Sequence, residues 1–242
     1  KKTSMEYLIR QVSRVFLASL FLGLCLPLGI LLEFSLAATI CVSLASWILL
    51  TIGKDLKNKL ANKPSLRSGL SSLSSSYVGM VLAHTGISVM LIGAGLTTYF
   101  SLERSILLGP GEQVELGSYA FIFNGHEEIR GPNYIGDRAN ISVLRNGSEI
   151  ETLYPERRIY LASGTPSTEM AIDAGLLRDL FVTLGEEKEG GSWSMTVYVK
   201  PFVRWIWLGA IFMAMGGTIA ALDKRYRLLR SCLLYTSPSP RD

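Results

Sequence analysis

Four long apolar runs and one long alternating region account for most of this chain. The first run is residues 15–32 (VFLASLFLGLCLPLGILL) and the second is residues 36–53 (LAATICVSLASWILLTIG); only Glu33-Phe34-Ser35 separates them. The third, residues 79–100, holds no ionisable side chain of a charged type except His84, and the fourth is residues 203–222 (VRWIWLGAIFMAMGGTIAAL). Each is close to the roughly 20 apolar residues that a helix needs to cross a bilayer. The pattern therefore predicts four transmembrane helices, the first two a tight antiparallel pair. Pro27 is compatible with this, because neighbouring helices can satisfy the carbonyl that a proline frees.

Between the third and fourth runs the period changes. Residues 101–202 carry short alternating or β-branched stretches: QVELGSYAFIF, RANISVL, IETLYP, DLFVTL and WSMTVYV. Turn signals separate them at Gly109-Pro110-Gly111, Gly131-Pro132-Asn133, Asn146-Gly147, Gly164-Thr165-Pro166 and Gly190-Gly191. Asn146-Gly147 is the strongest hairpin signal, because both central positions of that turn require φ > 0. The expected fold class is an integral membrane α-helical protein with one external antiparallel β domain of six to eight strands, sandwich or barrel. Residues 1–78 are expected to hold two membrane helices and a basic cytoplasmic loop, 79–100 the His-bearing helix, 101–202 the β domain, 203–222 the last helix and 223–242 a cytoplasmic tail.

Composition sharpens this reading. The chain has 242 residues, is 48% hydrophobic and carries a formal charge of +4, with a mean hydropathy of +0.30. The charge is segregated: residues 101–202 hold 9 Lys/Arg against 15 Asp/Glu, whereas the 54–76 segment holds five Lys/Arg against Asp55 alone. Short basic segments stay in the cytoplasm, so both ends and the 54–76 loop are expected inside and the β domain outside. His84 then lies roughly 8 Å below the cytoplasmic edge, at 1.5 Å per residue. The three cysteines, Cys25, Cys41 and Cys232, form no CxxC, so neither a disulfide framework nor a zinc site is expected. The chain starts at Lys1-Lys2 and reads as a piece of a longer protein; residues 231–242 follow a complete stop signal and are expected to be artefactual.

The candidate chemistry centres on His84. An imidazole inside an apolar helix is a costly polar group unless it is coordinated or hydrogen-bonded. Neutral imidazole is a common axial ligand of haem iron. The plainer alternatives are a hydrogen bond to a serine or backbone carbonyl, or a wet cavity. Gly79, Ala83, Gly86, Ser88, Gly93 and Gly95 surround it and leave room for a neighbouring helix or a flat ligand. His126, in Asn124-Gly125-His126-Glu127-Glu128, reads as a solvated turn residue. Asp173, Arg178 and Asp179 read as surface or hairpin residues, Gly131-Pro132-Asn133-Tyr134 as a rigid turn, and Trp205 and Trp207 as anchors in the aromatic belt.

Several segments in order resemble one family. They are LAHTGISVMLIG in the third run, GPNY at 131–134, YPERRIY at 154–160, TEMAIDAGLLRDLFVTLGE at 168–186 and KPFVRWIWLGAIFMAMGG at 200–217. Together they look like the C-terminal part of the CcmF/NrfE/CycK family of cytochrome c-type haem lyases. The resemblance implies a fragment of a bacterial inner-membrane haem lyase with its β domain in the periplasm. It implies attachment of haem to the CxxCH motif of apocytochrome c, with the haem chaperone CcmE and a CcmH-type thiol-handling subunit as further partners. It also implies a structural haem b, with His84 of Ala83-His84-Thr85-Gly86 as one axial ligand to the iron. Its partner ligand and the catalytic haem loop would lie in a part not present here, so catalytic residues are unknown and the fragment alone is expected to be inactive. Beyond these partners, contact with membrane lipid and none with nucleic acid are expected. Two other function classes stay open: a transporter or permease fragment, and a non-enzymatic assembly scaffold whose β domain binds partners.

Overall fold

The computed structural model describes residues 5–31, 34–61, 63–188 and 190–223. Cys232 and the stretch 231–242 expected to be artefactual lie outside the described residues. The chain divides into two units, one formed by the residues up to Gly95 together with those from Trp205, the other by Leu96–Arg204.

The first unit is helical. Helix α1 covers Met5–Leu31, α2 Leu36–Leu60, α3 Leu66–Ser71, α4 Ser75–Phe100 and α5 Val203–Ala221. Four segments, Val12–Gly29, Leu36–Leu60, Ser75–Phe100 and Val203–Ala221, are long and apolar enough to span a membrane. Ser35 caps α2 by accepting a hydrogen bond from the Ala38 N–H at 3.3 Å. The helix then runs seven residues past the expected end at Gly53, through Lys54–Leu60. The reason is local: KDLKNKL contains no helix breaker, and Lys57 and Lys59 in the last turn favour the negative end of the helix dipole. Pro64 follows shortly after and cannot continue it. What reads as a loop at 54–76 is thus largely helix, with α3 inside it.

Close backbone approach holds the helices together. A Cβ on Gly23 of α1 would sit 2.8 Å from both Thr39 O and Ser43 N of α2, and Phe16 meets Trp47 edge to face at 5.7 Å. Between α4 and α5 the contact is glycine on glycine. A Cβ on Gly86 would stand 2.6 Å from Gly209 O, and one on Gly216 would stand 2.6 Å from Gly79 O. Gly79, Gly86 and Gly93 recur every seven residues on α4, and Gly209 and Gly216 do so on α5. One seam on each helix therefore faces the other along its length. Lipid chains are as apolar as side chains, so such packing, rather than hydrophobic burial, drives helix association within a bilayer.

Among the described residues the second unit contains ten strands, not six to eight. They are β1 Leu102–Leu108, β2 Gln113–Leu116, β3 Tyr119–Arg130, β4 Tyr134–Arg145, β5 Ser148–Leu153, β6 Glu156–Tyr160, β7 Pro166–Glu169, β8 Ala171–Ala174, β9 Arg178–Lys188 and β10 Ser192–Pro201. The excess comes from short elements: the QVELGSYAFIF stretch turns at Gly117 (φ +62°) into two strands, and β7 and β8 are four residues each. All pairings are antiparallel. One sheet has the order β1-β10-β9-β8; the other has β2-β3-β4-β6-β7, with β5 paired to the second half of β4. Alternate residues fill the core between the sheets. Phe121, Phe123, Ile141 and Val143 come from one sheet, and Leu180, Val182, Leu184, Met195 and Val197 from the other; all are buried. Two open sheets sharing one core make this a sandwich, which the alternation alone left undecided.

Candidate membrane cleft at His84

His84 lies on α4, and its Nδ1 is 2.9 Å from the carbonyl oxygen of Met80, one turn earlier. A carbonyl only accepts, so Nδ1 carries the proton, and in the neutral ring Nε2 presents its lone pair. That is the arrangement found in metal-binding histidines, where a hydrogen bond to the other ring nitrogen fixes the tautomer. The Ser88 hydroxyl, fully buried, donates to the carbonyl oxygen of His84 at 3.1 Å.

The imidazole borders a cleft of about 590 Å³ among α1, α2 and α4. Val15, Trp47, Ile48, Ile52 and Met80 supply apolar walls. Lys54, Asp55 and Tyr77 add polar groups; the Tyr77 hydroxyl donates to Asp55 Oδ2 at 2.7 Å, and Lys59 Nζ stands 4.5 Å from the centre of the Tyr77 ring. This volume falls in the range of about 300–1,000 Å³ typical of cofactor sites. An apolar slot with an imidazole lone pair at its wall and a few polar groups beside it fits a flat, largely apolar macrocycle with acidic substituents. Among the described residues no three His, Cys, Asp or Glu side chains gather as a ready-made metal site.

The sequence pattern left open whether the small residues around His84 serve a ligand or a helix. They serve helices. Gly79, Gly86 and Gly93 meet α5, and Gly95 meets Cys41 of α2. At about 100° per residue, Gly86 lies about 200° around the helix from His84, so the seam and the imidazole occupy opposite sides of α4. Trp47 and the Tyr77–Asp55 pair were invisible as site residues, since Asp55 belongs to the unexpected extension of α2 and meets Tyr77 across 22 positions.

His126 is not in a turn. It lies within β3, opposite Ala139 of β4, exposed, with its ring 4.7 Å from that of Trp193. The Asn124-Gly125 turn signal is instead a bulge: the register shifts between Phe123 and Gly125, and Gly125 takes φ +127°. Asp173, Arg178 and Asp179 flank the β8–β9 hairpin. Arg178 pairs with Asp173 and donates from Nε to the Tyr119 hydroxyl at 3.1 Å. Asp179, far from being a surface residue, is 5% exposed and accepts from the Gly175 N–H at 2.9 Å. Gly131-Pro132-Asn133-Tyr134 forms the β3–β4 turn, closed by a Gly131 N–H to Tyr134 O bond of 2.9 Å. Trp207 is 70% exposed, whereas Trp205 packs where a Gly93 Cβ would be, 2.9 Å from its own Cβ.

Comparison with known proteins agrees with this architecture. Residues 99–201 match the family described as the CcmF C-terminal beta-sandwich. The chain is 46% identical over 196 residues to the cytochrome c-type biogenesis protein CcmF of Pseudomonas aeruginosa, covering 81% of this chain and 30% of that one. It is 42% identical over 229 residues to CcmF of Pseudomonas fluorescens, covering 94% of this chain and 34% of the relative. The chain thus spans about a third of the length of these relatives. A solved structure titled cytochrome c heme lyase CcmF shares the fold with a TM-score of 0.72 at 19% identity, over 92% of this chain and 36% of that one. The chain belongs to the CcmF family of cytochrome c-type biogenesis proteins and corresponds to its C-terminal part.

Proposed function

We propose that this chain is the C-terminal part of a membrane haem lyase that helps to attach haem to the CxxCH motif of apocytochrome c. In this reading His84 would hold the iron of a structural haem b in the α1/α2/α4 cleft. The observation that carries it is the His84 geometry: Nδ1–H bound to Met80 O at 2.9 Å leaves Nε2 free beside an apolar cleft of about 590 Å³. Bound there, the haem would supply an iron centre that accepts the imidazole lone pair. The chain's residues do the rest. Met80 holds the tautomer, Val15, Trp47 and Ile48 exclude water, and Lys54 offers a donor to the haem carboxylates. Names of relatives that include haem lyase and cytochrome c biogenesis support the cofactor and the reaction class.

The same reading assigns the β unit, residues 101–202, to the periplasmic side of a bacterial inner membrane and the basic 54–76 segment to the cytoplasm. The support is the charge asymmetry between them. CcmE, a CcmH-type subunit and apocytochrome c are the partners it implies.

The test is optical. Full-length protein carrying His84→Ala should insert and accumulate but lose the Soret band of its membrane haem b, because alanine suits an apolar helix better than an unpaired imidazole. Added imidazole should restore the band by filling the vacated space. His126→Ala, in the β unit beside Trp193, should keep the band. A His84→Ala protein with an unchanged Soret spectrum would return His84 to the role of a helix-capped polar residue.

A further inference from the structure

We propose that the tip of the β8–β9 hairpin, Gly175-Leu176-Leu177, is embedded in the bilayer interface, so that the β unit touches lipid through a hairpin as well as through its two tethering helices. The inference comes from strand register.

Strand β10 runs directly into the span Val203–Ala221, and its last residue, Pro201, pairs with Arg178, the first residue of β9. The strands are antiparallel. Each step from Pro201 towards the membrane therefore matches a step backwards from Arg178 into the hairpin tip. By that count Leu177 stands level with Phe202 and Leu176 with Val203, the first residue of the span. A hydrogen bond confirms the first of these levels: the Phe202 N–H donates to Leu177 O at 3.0 Å. Arg204, in the first turn of α5, reaches Asp179 at 3.8 Å, which ties the hairpin base to the same level. On the other side, Thr97 in the last turn of α4 donates to Pro201 O at 2.6 Å. The point where the chain enters the bilayer and the hairpin tip thus share one height.

The chemistry of the tip fits that height. Leu176 and Leu177 are 64% and 60% exposed, adjacent to each other and free of charge. Two neighbouring leucines at a hairpin tip are an unusual choice for water, because polar residues and glycine dominate turns. Directly behind them stand Arg178, paired with Asp173, and Arg204, beside the buried Asp179, at the level expected for guanidinium groups that keep their heads among lipid phosphates. The opposite end of the unit differs. There Tyr134, the first residue of β4, pairs with Tyr160, the last of β6, and the β6–β7 connection begins with Leu161, 63% exposed; β7 runs from that end into β8, whose last residue, Ala174, pairs with Asp179 beside the tip. Leu161 is therefore a matched aqueous control: the same residue type, equally exposed, at the wrong end. A bilayer occupant follows from continuity of the tip with the start of a membrane span. A neighbouring protein segment covering the leucines is the competing outcome.

The experiment uses full-length protein in phospholipid nanodiscs, with every native cysteine, Cys25 and Cys41 among them, changed to serine and a single spin label introduced through Leu176→Cys, Leu177→Cys or Leu161→Cys. All three side chains are exposed, so the label displaces no packed atom. Collision with oxygen, which concentrates in lipid, is compared with collision with a water-soluble nickel chelate. The labels at 176 and 177 are expected to show a several-fold higher oxygen-to-nickel ratio than the label at 161. Equal ratios at the two ends would overturn the proposal, placing the tip in water. Shielding of 176 and 177 from both reagents would also overturn it, placing the tip under protein.

Discussion

Gly86→Ala tests the glycine seam with one methyl group. A Cβ at Gly86 would lie 2.6 Å from Gly209 O and 2.7 Å from Met213 N. Both neighbours are backbone atoms of α5, which have no rotamer with which to yield. Ordinary contact begins near 3.4 Å, so the helices must separate by about 0.8 Å at this point or shift along each other. Overpacking of this kind typically costs about 1–3 kcal/mol, while alanine's better helix propensity returns at most about 1 kcal/mol. Gly217 is the built-in control. It lies on the same α5, one residue from Gly216, and a Cβ there meets nothing within 4 Å. Gly217→Ala should therefore be neutral or slightly stabilising. The assay is reversible unfolding of the purified protein in mixed micelles by titration with a denaturing detergent, followed by tryptophan fluorescence. Gly86→Ala should shift the midpoint downward and Gly217→Ala should not. Equal behaviour of the two variants would refute the seam as a determinant of helix packing. A further consequence concerns the cleft: a looser seam lets α4 turn, so Gly86→Ala should also broaden any spectral signature that depends on His84.

Glu156 gives a pH prediction. It is 7% exposed; Arg138 Nε donates to one carboxylate oxygen at 2.8 Å and Arg158 Nε to the other at 2.7 Å. Burial alone would raise its pKa, but the hydrogen bonds from the two guanidinium groups outweigh it and hold the carboxyl below its ordinary value of 4.5. A depressed folded-state pKa means stability that is fully present above 4.5 and lost as pH falls through the lower value; thermal melts across acid pH should show this, and Glu156→Gln should flatten that part of the profile. Asn146 and Gly147 turn the β4–β5 hairpin at φ +52° and +78°, so Gly147→Ala, which has open space but a left-handed backbone, should cost about 1–2 kcal/mol in a chemical denaturation curve. Reporter fusions at residues 65 and 150 should report opposite sides of the membrane; the same side for both would contradict the proposed orientation.

Much of the architecture was legible from local pattern, because the physics that sets it is local. A bilayer-length apolar run has no folded alternative that satisfies its backbone, so four such runs dictated four helices. Asn146-Gly147 specified its turn because few residues tolerate φ > 0 at both positions. Strand existence followed from alternation at β9 and β10, where Leu180, Val182 and Leu184 face Met195 and Val197 in one core. The His84 position and its family resemblance were likewise present in the one-dimensional chain.

Only tertiary structure decided what depends on a partner far along the chain. Whether Gly79 and Gly86 make room for a ligand or a helix was undetermined until Gly209 and Gly216 came to face them. Asn124-Gly125 carries the same dipeptide chemistry as Asn146-Gly147, yet it became a bulge, because β4 continues to pair on both sides of it. Asp179 looks like any surface acid, and it is buried because the hairpin folds its own Gly175 N–H onto it. Sandwich closure required the two sheets to share Phe121, Phe123, Leu180 and Met195, and alternation gives each strand an inner face without naming what covers it. Sequence pattern reports the periodicity of one element; it carries no term for the distance between two.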